Sequence, residues 1–382
     1  MIYNDIKDAL SRFAFRGVYR DAEEMHSGNV NATYHLYFED GESERDYVLQ
    51  QINSFVFREP EKVMQNIVKV TEHLKASAHG TESRTLSCIP LITGGYLYCD
   101  GDGHYWRAYD YICGATAYDR VERPEHFFEV GRAFGEFQNM LSDFSTDDLF
   151  ETIPDFHNTR RRFYDFVASV AEDRGGRAAK CEEEIDFFFD RRKMMDRLVR
   201  RIEDGRIPVR VAHNDTKINN VMIDDETGHA VCVIDLDTVM AGSALFDYGD
   251  AIRFGASTAA EDEEDLSRIH LDMDLFSQFT RGYLGCGGNV LTEEEKRCMP
   301  LSILVMTCEL AMRFLKDYID GDCYFRVRGP KHNLIRARAQ MCLLKDMESK
   351  FEMICRETNE IMRTTLGENG MVSEFAVPWD RH

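Results

Sequence analysis

The chain's 382 residues are 43% hydrophobic and 11% aromatic, so two lobes with a cleft are expected rather than one compact unit, and extended disorder is excluded. Acidic residues outnumber basic ones 68 to 46, and the formal charge of -22 repels a phosphate backbone, which excludes nucleic acid as a partner. The eleven cysteines lie singly between Cys88 and Cys355, with no C-x-x-C pair and no zinc-type histidine spacing, a pattern of reduced, mostly buried thiols.

Residues 1–10 mix charged and apolar side chains and lack the basic start, apolar centre and cleavage site of a leader. No apolar run reaches the roughly 18 residues of a membrane span; the expectation is a cytoplasmic protein without a membrane partner. Residues 33–38 and 47–52 flank the turn-forming Asp40-Gly41 and predict an antiparallel hairpin. After Pro60, the apolar residues Val63, Met64, Ile67, Val68 and Leu74 are spaced at three and four, which predicts a helix laid on that sheet. A second hairpin is predicted from 97–99 and 105–111, joined by Asp100-Gly101-Asp102-Gly103.

From Pro124 the pattern turns helical, with Phe127, Phe128, Phe134, Phe137 and Leu141 on one face and further long helices predicted near 182–203, 301–319 and 334–358. The fold class is therefore α+β, with a small antiparallel lobe over 1–110 and a larger, mostly α lobe over 111–382. Within the larger lobe lies one β-rich insertion, 209–238, and the residues with chemical potential concentrate there.

That insertion reads His213-Asn214-Asp215-Thr216-Lys217-Ile218-Asn219-Asn220, then an apolar strand, the acidic turn Asp224-Asp225-Glu226-Thr227-Gly228, and a second strand ending Val233-Ile234-Asp235-Leu236-Asp237. If the hairpin is centred between Thr227 and Gly228, positions 220 and 235 are equidistant from the turn, and their Cβ atoms are expected about 5 Å apart. An amide oxygen opposite a carboxylate suits Mg²⁺, which takes few protein ligands and fills its octahedron with phosphate and water. Asp215 enters the same hairpin mouth without being needed as a ligand, which leaves it free to accept a proton. His213 reads as a loop-orienting residue. Singly these are ordinary turn residues; in this order and register they match the catalytic loop and metal aspartate of a phosphoryl-transfer site, where positioning and cations carry the reaction.

These residues resemble the aminoglycoside phosphotransferase and choline kinase superfamily and, within it, the N-acetylhexosamine 1-kinases. The likeness runs from His213 through Phe246-Asp247-Tyr248-Gly249-Asp250 to Gly255, and recurs at Leu49-Gln50-Gln51-Ile52-Asn53, Trp106-Arg107-Ala108-Tyr109-Asp110-Tyr111, Gly131-Arg132-Ala133-Phe134-Gly135, Ile153-Pro154-Asp155-Phe156-His157-Asn158 and Arg313-Phe314-Leu315. The resemblance implies a bilobal protein kinase-like fold using ATP and Mg²⁺, with a small-molecule sugar as acceptor, Asp215 as base and Asn220 with Asp235 on the metal. It also implies adenine at Tyr109, Asp110, Tyr111 and Ile112, and a sugar pocket of Phe254, Arg313 and Tyr324. Read without the resemblance, Phe254 and Tyr324 are core aromatics and Arg313 is a surface charge.

Two positions depart from the pattern. Gln50 stands where kinases usually carry a phosphate-holding lysine, so Mg²⁺, backbone N–H groups or another cation are expected to meet the phosphate charge. The loop Ser27-Gly28-Asn29-Val30-Asn31 occupies the place of the phosphate loop and has Asn29 where the hexosamine kinases carry a sugar-binding histidine. Phosphorylation of choline, ethanolamine, an aminoglycoside or homoserine, and a non-catalytic nucleotide-binding relative, are the alternatives.

Overall fold

The computed structural model describes residues 2–25, 30–41, 43–78 and 84–367; the loop residues Ser27, Gly28 and Asn29 lie outside them. In chain order the helices and strands are α1 (Ile2–Leu10), β1 (Val18–Met25), β2 (Ala32–Asp40), β3 (Ser43–Ile52), α2 (Pro60–Ser77), β4 (Tyr98–Cys99), β5 (Tyr105–Asp110), β6 (Ala115–Ala117) and α3 (Pro124–Met140). They continue with α4 (Thr159–Glu172), α5 (Glu182–Glu203), β7 (Arg210–Ala212), β8 (Val221–Asp224), β9 (Ala230–Val233), β10 (Met240–Gly242), α6 (Ala244–Gly255), α7 (Met273–Gly287), α8 (Glu293–Asp320), α9 (His332–Ser349) and α10 (Phe351–Leu366). An antiparallel sheet in the N-terminal region thus precedes a larger helical region.

Two compact units result, and they interleave along the chain. The first comprises Met1–Ala117, Asp143–Pro154 and Val221–Ala241; the second comprises Tyr118–Ser142, Asp155–Asn220 and Gly242–His382.

In the first unit the sheet order is β1-β2-β3-β5-β4. Strand alternation sends Leu36 and Phe38, Tyr47 and Leu49, and Trp106 and Ala108 to one face, where Ile6 and Ala9 of α1 and Phe13 complete the core. The other side-chain set of the same strands carries Thr33, Gln50 and Arg107, and the register pairs Thr33 with Gln50 and Gln50 with Arg107. The helix α2 is tied by Asn66, whose amide donates to the carbonyls of Phe150 (2.8 Å) and Val239 (3.0 Å).

The hairpin of β8 and β9 belongs to this unit and corrects the expected register. Val221 pairs with Val233 and Met222 with Cys232, and a bulge follows at Ile223. Asp224 causes the shift. Its Oδ1 accepts from the backbone N–H groups of Glu226 (3.2 Å) and Thr227 (2.9 Å) and from the Thr227 hydroxyl (2.9 Å), tightening the turn around the left-handed Gly228. The ladder therefore stops at 221 and 233, and Asn220 and Asp235 are not a cross-strand pair. Asn220 closes a 3-10 turn, and Asp235 adopts φ 57° ahead of another.

In the second unit α3 and α7 approach backbone to backbone. A Cβ at Gly131 would lie 2.2 Å from the Phe279 carbonyl oxygen, one at Gly135 2.4 Å from that of Tyr283, and one at Gly282 2.1 Å from that of Phe128. The core helix is α8. It holds a window with mean hydropathy 1.6, long and apolar enough to cross a membrane, which corrects the expectation that no such run exists; 89% of that window is buried inside the protein. This is the pattern of a helix apolar on every side and surrounded by protein.

The helix also starts earlier than the expected 301 and runs through Pro300, because a capping box of Thr292 and Glu295 nucleates it a full two turns upstream. The predicted helix over 334–358 is two helices, parted at Lys350. Its ammonium is drawn to the Asp346 carboxylate (2.7 Å) and the Leu271 carbonyl (2.8 Å). Of the cysteines, Cys181, Cys232, Cys298 and Cys308 are buried but Cys99, Cys113 and Cys323 are exposed, so the expectation of mostly buried thiols holds only in part.

Gly135→Val is expected to destabilise the protein by about 3 kcal/mol, since neither facing backbone can yield to the added atoms. A urea denaturation midpoint equal to that of the unsubstituted protein would exclude the close approach.

Candidate functional site

The segment 213–220 is shaped by a buried carboxylate. Asp247, in the first turn of α6, accepts from the backbone N–H groups of His213 (2.9 Å) and Asn214 (2.8 Å), and the Asp247 carbonyl accepts from the Thr216 hydroxyl (2.6 Å). Gln138 of α3 bridges Asp247 Oδ2 (3.2 Å) to the carbonyl of Val211 in β7 (2.9 Å). Burial pushes the Asp247 carboxyl above its ordinary value, against the pull of His213 and of the two backbone donors. His213 is itself buried, edge-on to Phe134 and Phe137, and its Nδ1 accepts from the Asp215 backbone N–H (3.3 Å). It orients the loop, as its sequence context suggested. Asn214 takes φ 64°, a conformation that Asn tolerates better than most residues, and this turns the chain so that Asp215 follows.

Asp215 keeps 29% side-chain exposure, enough to be reached by a ligand. Its Oδ1 lies 2.6 Å from Lys217 Nζ, and its Oδ2 accepts from Asn220 Nδ2 (3.2 Å). Burial pushes this carboxyl up, but the Lys217 ammonium, His213 and the Asn220 amide outweigh it and hold the value below the ordinary 3.8. Lys217 is raised in turn: burial lowers it, and Asp215 and Asp250 more than compensate. Asn220 also donates to the Asp215 carbonyl (2.8 Å). With its NH₂ end committed to Asp215, the amide's carbonyl oxygen is the end suited to a hard cation, so the donor chemistry fits Mg²⁺.

The predicted pocket residues of the second unit connect to this loop. His157 Nδ1 lies 3.0 Å from Glu309 Oε1, and its Nε2 lies 3.3 Å from the Asn214 carbonyl oxygen. Glu309 also pairs with Arg313 at 3.4 Å. Arg313 is not a surface charge: its side chain is 12% exposed and lies over the rings of Phe156 (5.0 Å), Phe325 (5.7 Å) and Tyr324 (5.9 Å). Tyr324 is 57% exposed, not a core aromatic. Phe254, partly buried, has Lys217 Nζ 5.9 Å from its ring centre.

In the first unit, Tyr109 is buried at the end of β5 and burial pushes its phenol well above its ordinary value. Asp110 is salt-bridged to Arg45 (3.4 Å), the Tyr111 ring stacks on His35 (3.9 Å, 7°), and Ile112 follows in the connection to β6. Gln50 Oε1 accepts from Arg107 Nε (3.0 Å) and Nη2 (2.8 Å). Ser27, Gly28 and Asn29 lie outside the described residues.

Sequence reasoning passed over Lys217, Asp247, Arg107 and Asp237. For Lys217 the signal was present, a lysine two residues after the candidate base. Asp247 could have been found as a lone acid in the apolar stretch Ala244-Leu245-Phe246, whereas Arg107 becomes visible only through the register of β3 and β5.

A family model described as the phosphotransferase enzyme family matches residues 21–275. Among solved structures, a microcompartment-associated aminopropanol kinase shares 13% identity, with 97% of this chain and 99% of that chain covered and a TM-score of 0.56. A spectinomycin phosphotransferase solved with ADP and spectinomycin shares 12%, with 91% and 98% covered and a TM-score of 0.56. An ethanolamine kinase from Plasmodium vivax shares 14%, with 84% and 82% covered and a TM-score of 0.52. At such identities these likenesses speak to the fold, which is that of the kinase-like phosphotransferases.

The Asp215 carboxyl is expected to titrate below 3.8. Its pairing therefore contributes stability in full above the unfolded-state value near 3.9 and loses it as pH falls through the folded one. Lys217→Met is expected to move the midpoint upward, read by NMR of the carboxyl carbon; an unmoved midpoint would refute the pairing.

Proposed function

Because the chain belongs to the phosphotransferase enzyme family, we propose that it moves the γ-phosphoryl group of ATP onto the anomeric hydroxyl of an N-acetylhexosamine or a close relative. The observation that carries this reading is the Asp215 carboxylate, on a loop pinned by Asp247, with Lys217 on one oxygen and the Asn220 amide on the other. Asp215 takes the acceptor's proton. A low pKa suits it, since the alcohol proton leaves late in a loose transition state and a strong base is not required.

In this proposal Asn220 and Asp235 hold Mg²⁺, which when bound neutralises charge on the phosphate oxygens. Lys217 adds a fixed positive charge beside the reacting groups, released from Asp215 as the transferred phosphoryl arrives. Adenine lies along Tyr109, Asp110, Tyr111 and Ile112, and Ser27, Gly28 and Gln50 line the phosphate side. Asn29, Phe254, Arg313 and Tyr324 contact the sugar.

The neighbours named as aminopropanol and ethanolamine kinases raise a cationic acceptor as the second reading. The charges around Phe156 disfavour it. Arg162 and Arg313 both lie over that ring, at 6.0 and 5.0 Å, and the buried acid among them, Glu309, is already matched by His157 and Arg313. Burial and then Arg313 depress the Arg162 guanidinium, so an added ammonium would meet further repulsion. A neutral sugar with carbonyl and hydroxyl oxygens finds donors there.

Asp215→Asn is expected to lower kcat by roughly three orders of magnitude or more with KM for ATP nearly unchanged, as for a group acting in the transition state. Turnover equal to that of the unsubstituted enzyme would refute its role. A screen of ADP release over free sugars and amino alcohols tests the acceptor: activity confined to amino alcohols would sink the hexosamine reading and leave phosphotransfer standing.

A further inference from the structure

The cation nearest Gln50 is Arg107, its cross-strand partner on β5. Arg107 is 2% exposed and spends three of its five donors within the first unit: Nε and one Nη2 proton on Gln50 Oε1, and one Nη1 proton on Asp237 Oδ1. Asp237 is equally enclosed, at 4% side-chain exposure, and its second oxygen accepts from Asn31 Nδ2 (2.7 Å). The network is closed at its ends. Gln50 Nε2 donates to the Thr33 hydroxyl (3.0 Å), and Asn31 Oδ1 accepts from the Asn53 backbone N–H (3.0 Å).

We infer that Arg107 and Asp237 form a buried strut that positions the turn carrying Asp235, and that Asp237 is an anchor and not a ligand of the divalent ion. This rests on the kinase reading, which gives Asp235 its metal. Asp235 sits in the left-handed region, which few non-glycine residues occupy and aspartate tolerates better than most, and the 3-10 turn Leu236–Thr238 begins directly after it. Two residues on, Arg107 fixes one oxygen of Asp237 and Asn31 the other, so both are committed within the network. Of the two acids in Asp-Leu-Asp, Asp237 is the one held in this network, and its bonds to β5 and to Asn31 at the start of β2 hold the backbone on which Asp235 sits.

The same strut accounts for Gln50. A lysine on β3 at this position would face the Arg107 guanidinium across the ladder, and two cations would then compete for the one carboxylate of Asp237. Glutamine presents an acceptor instead, and Arg107 uses it twice.

Isothermal titration of ADP at varied Mg²⁺ tests the assignment. Arg107→Met is expected to raise the Mg²⁺ half-saturation about tenfold, as for loss of a group that orients a metal ligand, with KM for the acceptor unchanged. The neutral, hydrogen-bonding pair Arg107→Gln with Asp237→Asn is expected to recover it to within about threefold, whereas Asp235→Asn is not. If the neutral pair loses the Mg²⁺ response as fully as Asp235→Asn does, Asp237 is a ligand and the inference is overturned. A second measurement needs no ligand: Gln50→Lys should lower the thermal midpoint of the otherwise unsubstituted chain but not of the Arg107→Gln chain. Equal losses in both backgrounds would overturn the inference even where Arg107→Met fails to fold. Absence of any Mg²⁺-dependent nucleotide binding by the unsubstituted protein would instead count against the kinase reading, and the thermal comparison would still judge the strut.

Discussion

A single buried carboxylate organises the candidate active loop. Asp247 accepts two consecutive backbone N–H groups, those of His213 and Asn214, and its own carbonyl takes the Thr216 hydroxyl. An uncompensated charge in this position would be strongly destabilising, and two carboxylate-to-loop hydrogen bonds, with a third from the Thr216 hydroxyl to the Asp247 backbone carbonyl, turn that liability into a fixed geometry. The left-handed Asn214 depends on it, and so does the direction in which Asp215 leaves the loop. Because Gln138 joins Asp247 to β7 and α3, the loop is referenced to the helical packing behind it as well as to α6.

That packing is unusually close where α3 meets α7. Glycines at 131, 135 and 282 let the two backbones touch, and Phe134 and Phe137 of α3 then reach the His213 ring. The chain of contact thus runs from small residues at a helix crossing, through aromatic edges, to the imidazole that receives the Asp215 amide. Each link is short-range and directional. Together they tie down the base of a loop in which Asp215 and Lys217 are only half-buried.

Elements with strong periodicity were legible in the sequence: the strands of the first hairpin, the helix after Pro60, and α5 at its observed limits. The misreadings have local causes. The helix expected from 301 begins two turns earlier, because the capping box at Thr292 starts it upstream of Pro300. The symmetrical hairpin around Thr227 and Gly228 was displaced by the three donors that Asp224 collects. Arg313 and Tyr324 were selected by resemblance alone, since a partly buried arginine stacked on rings and an exposed tyrosine have no signature in spacing. The ion pair of Arg107 and Asp237 was illegible for another reason: its partners stand 130 positions apart, one on β5 and the other on the 3-10 turn Leu236–Thr238, and only the tertiary fold brings them together.

Two of the left-handed non-glycine residues, Asn214 and Asp235, also shape how substitutions in this protein must be interpreted. Asparagine and aspartate enter that backbone region at small cost, whereas alanine does so against a steric penalty of about 1 kcal/mol. An alanine scan would therefore blend two effects at position 235, the missing oxygen and a chain bent out of its resting state. Exchange between Asp and Asn alters charge while sparing the backbone, and glycine relaxes the backbone while removing the side chain. Comparing the three separates chemistry from conformation at a residue where the usual truncation confounds them.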